Sequence, residues 1–195
     1  MQPLIKDAKF YWPLLLLREM STVEERRKGL QGVAESLNTA RFGVPEAPLA
    51  EIISRLEAKD SSLIVLDTRS EEERSVSTIP GSLSKAEFEA TPGAFKDKEI
   101  VTFCTVGYLA GAYACDLRRN KGYEHVRNLG EGSLLGYTLA GRPLAKPDGT
   151  PATAVHTFMA GLAGLAGDGL ETVAFEDADA RLAAADTHIA ATLSL

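Results

Sequence analysis

Apolar residues recur along the chain with periods that change, and each change marks an element. Val23, Leu30, Val33 and Leu37 fall on one helical face. Ser21 and Thr22 each precede a glutamate by three residues, a capping-box start. A helix is predicted over 23–37, with Arg26, Arg27 and Lys28 on its solvated face. Pro45 and Pro48 bracket a loop, and Leu49, Ile52, Ile53 and Leu56 give a short amphipathic helix. Leu63–Leu66 is a continuous apolar run, the mark of a central strand covered on both faces. Ile79-Pro80-Gly81 turns into a short strand near Ser82–Leu83, and Thr91-Pro92-Gly93 is a loop. Ile100–Phe103 is a second buried strand. The Ala-rich segment beyond it reads as a helix to about Asn120, with Gly122 at the expected C-cap. His125–Leu129 is a strand, and Ser133–Ala140 is a helix stopped by Gly141 and Pro143. Strands alternating with helices predict an α/β fold: an open, mainly parallel sheet with helices on both faces.

The flanks do not share this rhythm. Phe10–Leu17 is apolar without a period, and far shorter than the ~20 residues needed to span a bilayer. We expect an arm packed on its own domain; the alternative is a docking surface for a protein partner through residues 1–20. Pro147–Pro151 reads as a turn or linker. Beyond it Gly161, Gly164, Gly167 and Gly169 alternate with Ala and Leu, which disfavours helix. Leu182, Asp186, Ile189 and Leu193 lie one helical turn apart, so a terminal helix is expected over 177–193. The chain thus divides into an arm and helix (1–44), an α/β domain (45–146) and a Gly/Ala-rich extension (147–195).

Composition narrows the function. A net charge of −6 argues against a general nucleic-acid binder. Two cysteines make no disulfide framework, which fits a reducing intracellular setting, cytoplasm and organelle being indistinguishable. His125, His156 and His188 lack metal-ligand spacing, so no metal site is expected. There is no Gly-x-x-x-x-Gly-Lys-[Ser/Thr] or Gly-x-Gly-x-x-Gly motif, and no cofactor is expected.

The candidate chemistry sits at Cys104, between the strand 100–103 and the Ala-rich helix. Such a turn aims backbone N–H groups at the sulfur, and the helix N-terminus adds positive partial charge. Both favour thiolate, and such sites hold a cysteine pKa at roughly 3.5–7.5. Asp67 and Arg69 end the strand that begins at Leu63, where ligands collect in open α/β sheets. They read as a structural ion pair shaping the loop, with Arg69 the better binding candidate. Cys115 lies eleven residues beyond Cys104, ~16 Å along a helix axis, too far for a resolving thiol; it reads as a small core residue.

Three segments in order resemble the rhodanese (sulfurtransferase) family. They are Asp67-Thr68-Arg69 with Glu71–Glu73 and Ile79-Pro80-Gly81-Ser82; Cys104-Thr105-Val106-Gly107; and Gly122-Tyr123-Glu124-His125-Val126 running to Leu129-Gly130-Glu131-Gly132. The likeness covers about residues 47–145. It implies a rhodanese-like sheet and sulfur transfer through a Cys104 persulfide, from a small donor anion such as thiosulfate or from a protein persulfide. Backbone of Thr105, Val106, Gly107, Tyr108, Leu109 and Ala110 would hold the anion, with Arg69 beside it. The family's six-residue loop often ends in Arg or a hydroxyl residue; here it ends in Leu109. The Cys-x5-Arg loop of cysteine phosphatases would need arginine at Ala110, which disfavours phosphatase chemistry. The alternative reading is a weakly active or inactive rhodanese module serving as a docking piece in a larger assembly.

Overall fold

The first described helix, α1 (Val23–Ser36), starts on a reciprocal capping box between Thr22 and Glu25. The computed structural model describes residues 20–193 apart from 38 and 92. The apolar arm at 10–17 therefore lies outside the described residues. Leu30 and Val33 of α1 are buried as their spacing predicts. Arg26 corrects the expectation of a solvated basic face. It is buried, and its guanidinium donates to the Ala166 carbonyl (2.7 Å) and the Asp168 carboxylate (2.6 Å).

The stretch between Pro45 and Pro48 holds a two-residue strand, β1 (Glu46–Ala47), where a loop was expected, and α2 (Leu49–Glu57) follows. Next come β2 (Leu63–Asp67) and α3 (Glu71–Val76), the latter opened by a second capping box, Ser70 with Glu73. Then follow β3 (Leu83–Ser84), α4 (Lys85–Glu89), β4 (Glu99–Phe103), α5 (Tyr108–Arg119), β5 (Val126–Leu129) and α6 (Ser133–Leu139). Among the described residues these strands form one parallel sheet in the order β1-β5-β4-β2-β3. The predicted mainly parallel α/β fold is thus present. Its centre is β2 beside β4, with Asp67 opposite Phe103, so the segments after these two strands meet at one edge of the sheet.

Beyond α6 the chain contains strands that its composition hid. β6 (Leu144–Ala145) and β7 (Pro151–Ala152) form a small antiparallel pair around the predicted turn. β8 (Ala154–His156) and β9 (Glu171–Val173) pair in parallel, and between them Ala160–Leu165 forms a 3₁₀ turn. The terminal helix α7 (Ala178–Leu193) lays Leu182, Ile189 and Leu193 against Tyr108, Ala112 and Cys115 of α5, with Phe42 in the same cluster. Among the described residues no helix is long and apolar enough to cross a membrane.

Candidate active site

Cys104 directly follows β4, and α5 begins four residues later at Tyr108. Gly107 makes the turn: its φ is +90°, a conformation side chains disfavour. The loop carbonyls are drawn to one side. Leu134 N–H donates to the Cys104 carbonyl (3.1 Å), Leu135 N–H to that of Thr105 (3.1 Å) and the Asn128 amide to that of Gly107 (2.9 Å). The Cys104 N–H donates to the Ser133 hydroxyl (3.2 Å). Ser133 is buried with φ +58°, strain that a residue sustains when its surroundings hold it. Gly132, before it, has no room for a side chain, since a Cβ would lie 2.4 Å from Leu30 Cδ1. With the carbonyls turned away, the N–H groups of Val106, Gly107 and Ala110 reach the Cys104 sulfur. Among the other loop residues singled out from sequence, Thr105, Tyr108 and Leu109 bring side chains to the site.

The thiol departs from expectation. Cys104 is 3% exposed. Burial pushes its pKa up, the three N–H groups pull it down, and the nearby Glu73 carboxylate adds a further upward push. Burial prevails, so the lowered pKa inferred from the turn alone is corrected.

Behind the loop lies a buried polar cluster. Arg69 donates to Asp67 through Nε (3.0 Å) and Nη2 (2.7 Å), and Nη2 also donates to the Ser77 carbonyl (2.6 Å). The Thr78 hydroxyl donates to Asp67 (2.6 Å), and Arg74 stands 3.7 Å from the same carboxylate. Both Asp67 and Arg69 side chains are 0% exposed. The Arg69 Nη1 is buried without a hydrogen-bond partner among the described residues, and Arg69 does not line the cavity in front of the sulfur.

In front of the sulfur is a cavity of about 40 Å³. The loop and α5 supply Cys104, Thr105, Val106, Tyr108 and Leu109; α1 supplies Val33, with Leu37 just past its end. Phe158, Met159, Leu162 and Leu182 close it from the extension. Its one charged neighbour among the described residues is Glu73, whose Oε1 accepts from the Thr105 hydroxyl (3.3 Å) while Oε2 is held by Ser70. Burial raises the Glu73 pKa, against the pull of Arg69. The cover is fastened by Tyr108, whose hydroxyl donates to Asp186 (2.5 Å) and accepts from Arg41 (2.5 Å). Arg181 adds an ion pair to Glu72 (3.3 Å).

His156, scattered in sequence, is buried in β8. It accepts from the Phe158 N–H (3.1 Å) and packs on Phe175. Burial lowers its pKa. Cys115 is a free, buried core residue. Sequence reasoning did not bring Glu73, Ser133 or the cover from Phe158 to Asp186 to the site, although it expected the terminal helix that carries Leu182 and Asp186. Only Glu73 carried a signal, as the last residue of the Ser70-x-x-Glu73 capping box.

A parallel α/β domain that clamps one cysteine in a strand-to-helix loop is the class this geometry defines. More narrowly, the chain carries a rhodanese-like domain, whose family model matches residues 48–135. No curated protein matches the chain. Among solved structures, a thiosulfate sulfurtransferase from Pseudomonas aeruginosa is similar, with 22% identity and a TM-score of 0.48 over 65% of this chain and 23% of that one. A Rhodopseudomonas palustris protein of unknown function, described as a possible tyrosine phosphatase, gives 24% identity and a TM-score of 0.46, covering 60% of this chain and 92% of that one. The rhodanese-like domain of an Anabaena protein gives 22% identity and a TM-score of 0.44, covering 52% and 79%.

Proposed function

We propose that this protein is a sulfurtransferase that carries sulfane sulfur on Cys104. The observation that supports this best is the loop itself: within a rhodanese-like domain, its carbonyls are tied down and three N–H groups face one cysteine sulfur. The cysteine attacks the outer sulfur of a donor, forms a persulfide, and a thiophilic acceptor then removes that sulfur, a ping-pong covalent scheme. The N–H groups stabilise negative charge on the sulfur as the S–S bonds form and break.

The test is direct. The protein is incubated with thiosulfate or a small alkyl persulfide, examined by mass for one added sulfur, and then given cyanide with thiocyanate measured. Addition of sulfur, lost in Cys104→Ser, is expected. A wild type that gains sulfur from neither donor overturns the reading. The burial of Cys104 beneath the extension favours a second reading, a non-catalytic module that docks in a larger assembly; absence of loading is the result that reading requires.

A further inference from the structure

Resting on the sulfurtransferase reading, we infer that Glu73 carries the proton of persulfide exchange at Cys104, and that the cavity takes a neutral organic persulfide in preference to a small anion. Three observations converge. Glu73 is a carboxyl that lines the cavity with Cys104, in walls otherwise almost wholly apolar. Its Oε2 is occupied by Ser70, whereas Oε1 accepts only from Thr105, the residue after the cysteine. Arg69, the cation expected to meet an anionic donor, binds Asp67 and Ser77 through Nε and Nη2 and does not line the cavity.

These facts oppose a dianion. An anion entering here would lose its water, meet apolar side chains and face a carboxylate, and burying unpaired charge is costly. A protonated persulfide, R–S–SH, carries no charge into the cavity. Exchange with a buried thiol then needs one proton moved and none imported. As the Cys104 sulfur attacks, its proton passes to Glu73. The new bond joins the Cys104 sulfur to the donor's outer sulfur. The donor's S–S bond breaks, and its electron pair leaves with the inner sulfur as R–S⁻. Glu73 returns the proton to that thiolate. In sum, Cys104–SH and R–S–SH become Cys104–S–SH and R–SH, with no external oxidant or reductant. A carboxyl held above its ordinary range by burial suits both halves of that transfer.

The test uses two reactions that a structural role could not separate. One is single-turnover loading of Cys104 from a small alkyl persulfide; the other is alkylation of Cys104 by iodoacetamide, both at neutral pH. The Glu73 carboxylate disfavours the thiolate, so Glu73→Gln should speed alkylation. The same variant should slow loading by tenfold or more, and Glu73→Asp should recover part of the loss. Movement of both rates in one direction, or loading by Glu73→Gln as fast as wild type, overturns the proton role. Faster wild-type loading from thiosulfate than from the alkyl persulfide overturns the donor class. A wild type that loads from neither donor overturns the sulfurtransferase reading itself, a separate result.

If Glu73→Gln fails to fold, Thr105→Val takes its place. Removing the hydroxyl that donates to Oε1 raises the carboxyl pKa. The acid limb of the loading rate should then move to higher pH. The other charged groups felt at Glu73 are Arg69, Asp67 and Arg181, and Thr105→Val leaves them in place. An acid limb that stays where it was overturns the proposal.

Discussion

The two sides of Cys104 are built from opposite materials. Behind the loop, Asp67, Arg69, Arg74 and Thr78 form a buried polar cluster in which Asp67 receives donors from both Arg69 and Thr78. In front, Val33, Leu109, Met159, Leu162 and Leu182 enclose a small cavity with one carboxyl in its wall. The back comes from the rhodanese-like segment; the front is shared between that segment, α1 and the extension. The back fixes the loop by hydrogen bonds, each costly to leave unmade. The front sets what the sulfur meets, by excluding water. Charge close to a sulfur thus need not be charge available to a donor: Arg69 is close enough to interact with Cys104, yet its Nε and Nη2 are bound to Asp67 and Ser77 and its side chain does not line the cavity.

Breaking the back should have the largest effect. In Arg69→Leu, Asp67 keeps Thr78 and the more distant Arg74 but loses its bidentate partner in a fully buried site. Removing one member of a buried pair costs about 3–5 kcal/mol. Urea denaturation should show a loss near the lower end, ~3 kcal/mol, since Arg74 is at hand. A loss below ~1 kcal/mol, the range of exposed pairs, would show that the cluster does not hold the loop.

Breaking the front should cost less stability and change reactivity more. Leu162 is buried over the cavity, and Leu→Ala in a core costs ~2–5 kcal/mol. We expect about 2 kcal/mol for Leu162→Ala, because a cavity already adjoins the site and neighbours can settle into it. Iodoacetamide should alkylate Cys104 several-fold faster than in wild type, because the sulfur gains water and its thiolate is no longer so strongly disfavoured. Destabilisation without faster alkylation would mean that the extension does not shield the sulfur.

The same division explains what was legible in the chain. Leu63–Leu66 and Ile100–Phe103 announced central strands because both faces of a parallel sheet are covered, and such strands read as unbroken apolar runs. The loop was legible from Cys104 and Gly107 because its conformation is a local property. Arg26 was misread because its partners, Ala166 and Asp168, lie some 140 residues away and no helical period reports them. β8 and β9 are three residues each, too short for alternation to show. The thiol's direction of shift was misjudged for a related reason. The N–H groups that lower it are neighbours in sequence, whereas Phe158, Met159, Leu162 and Leu182, which bury it, come from far beyond the loop. Glu73 showed its capping role in the pattern Ser70-x-x-Glu73, but nothing in that pattern says the carboxyl is buried beside a cysteine.

The smallest change sharpens the comparison most, by placing on the front the kind of charge the back already has. Leu109 lies between the cavity and a surface groove lined by Glu89, Asp116 and Lys121. An arginine there would add a guanidinium with a free fork, able to pair with donor oxygens in two places at once. Leu109→Arg should lower the apparent KM for thiosulfate by up to about tenfold, the equivalent of ~1.4 kcal/mol. The gain should shrink as salt is raised from low ionic strength, because the added attraction is electrostatic and partly exposed. Loading from a neutral alkyl persulfide should gain nothing, since that donor offers no charge to pair. This contrast separates a local effect of charge from a general opening of the cover, which would help both donors. Carboxylates on both sides compete for the new side chain: Glu73 within the cavity, and Asp116 and Glu89 in the groove outside. If the arginine pairs with Asp116 or Glu89, thiosulfate kinetics stay unchanged at low salt in a folded variant, and position 109 then does not control the donor. If it pairs with Glu73, it holds that carboxyl ionised, and loading from the neutral persulfide should slow because the paired carboxylate is a weaker base for the Cys104 proton.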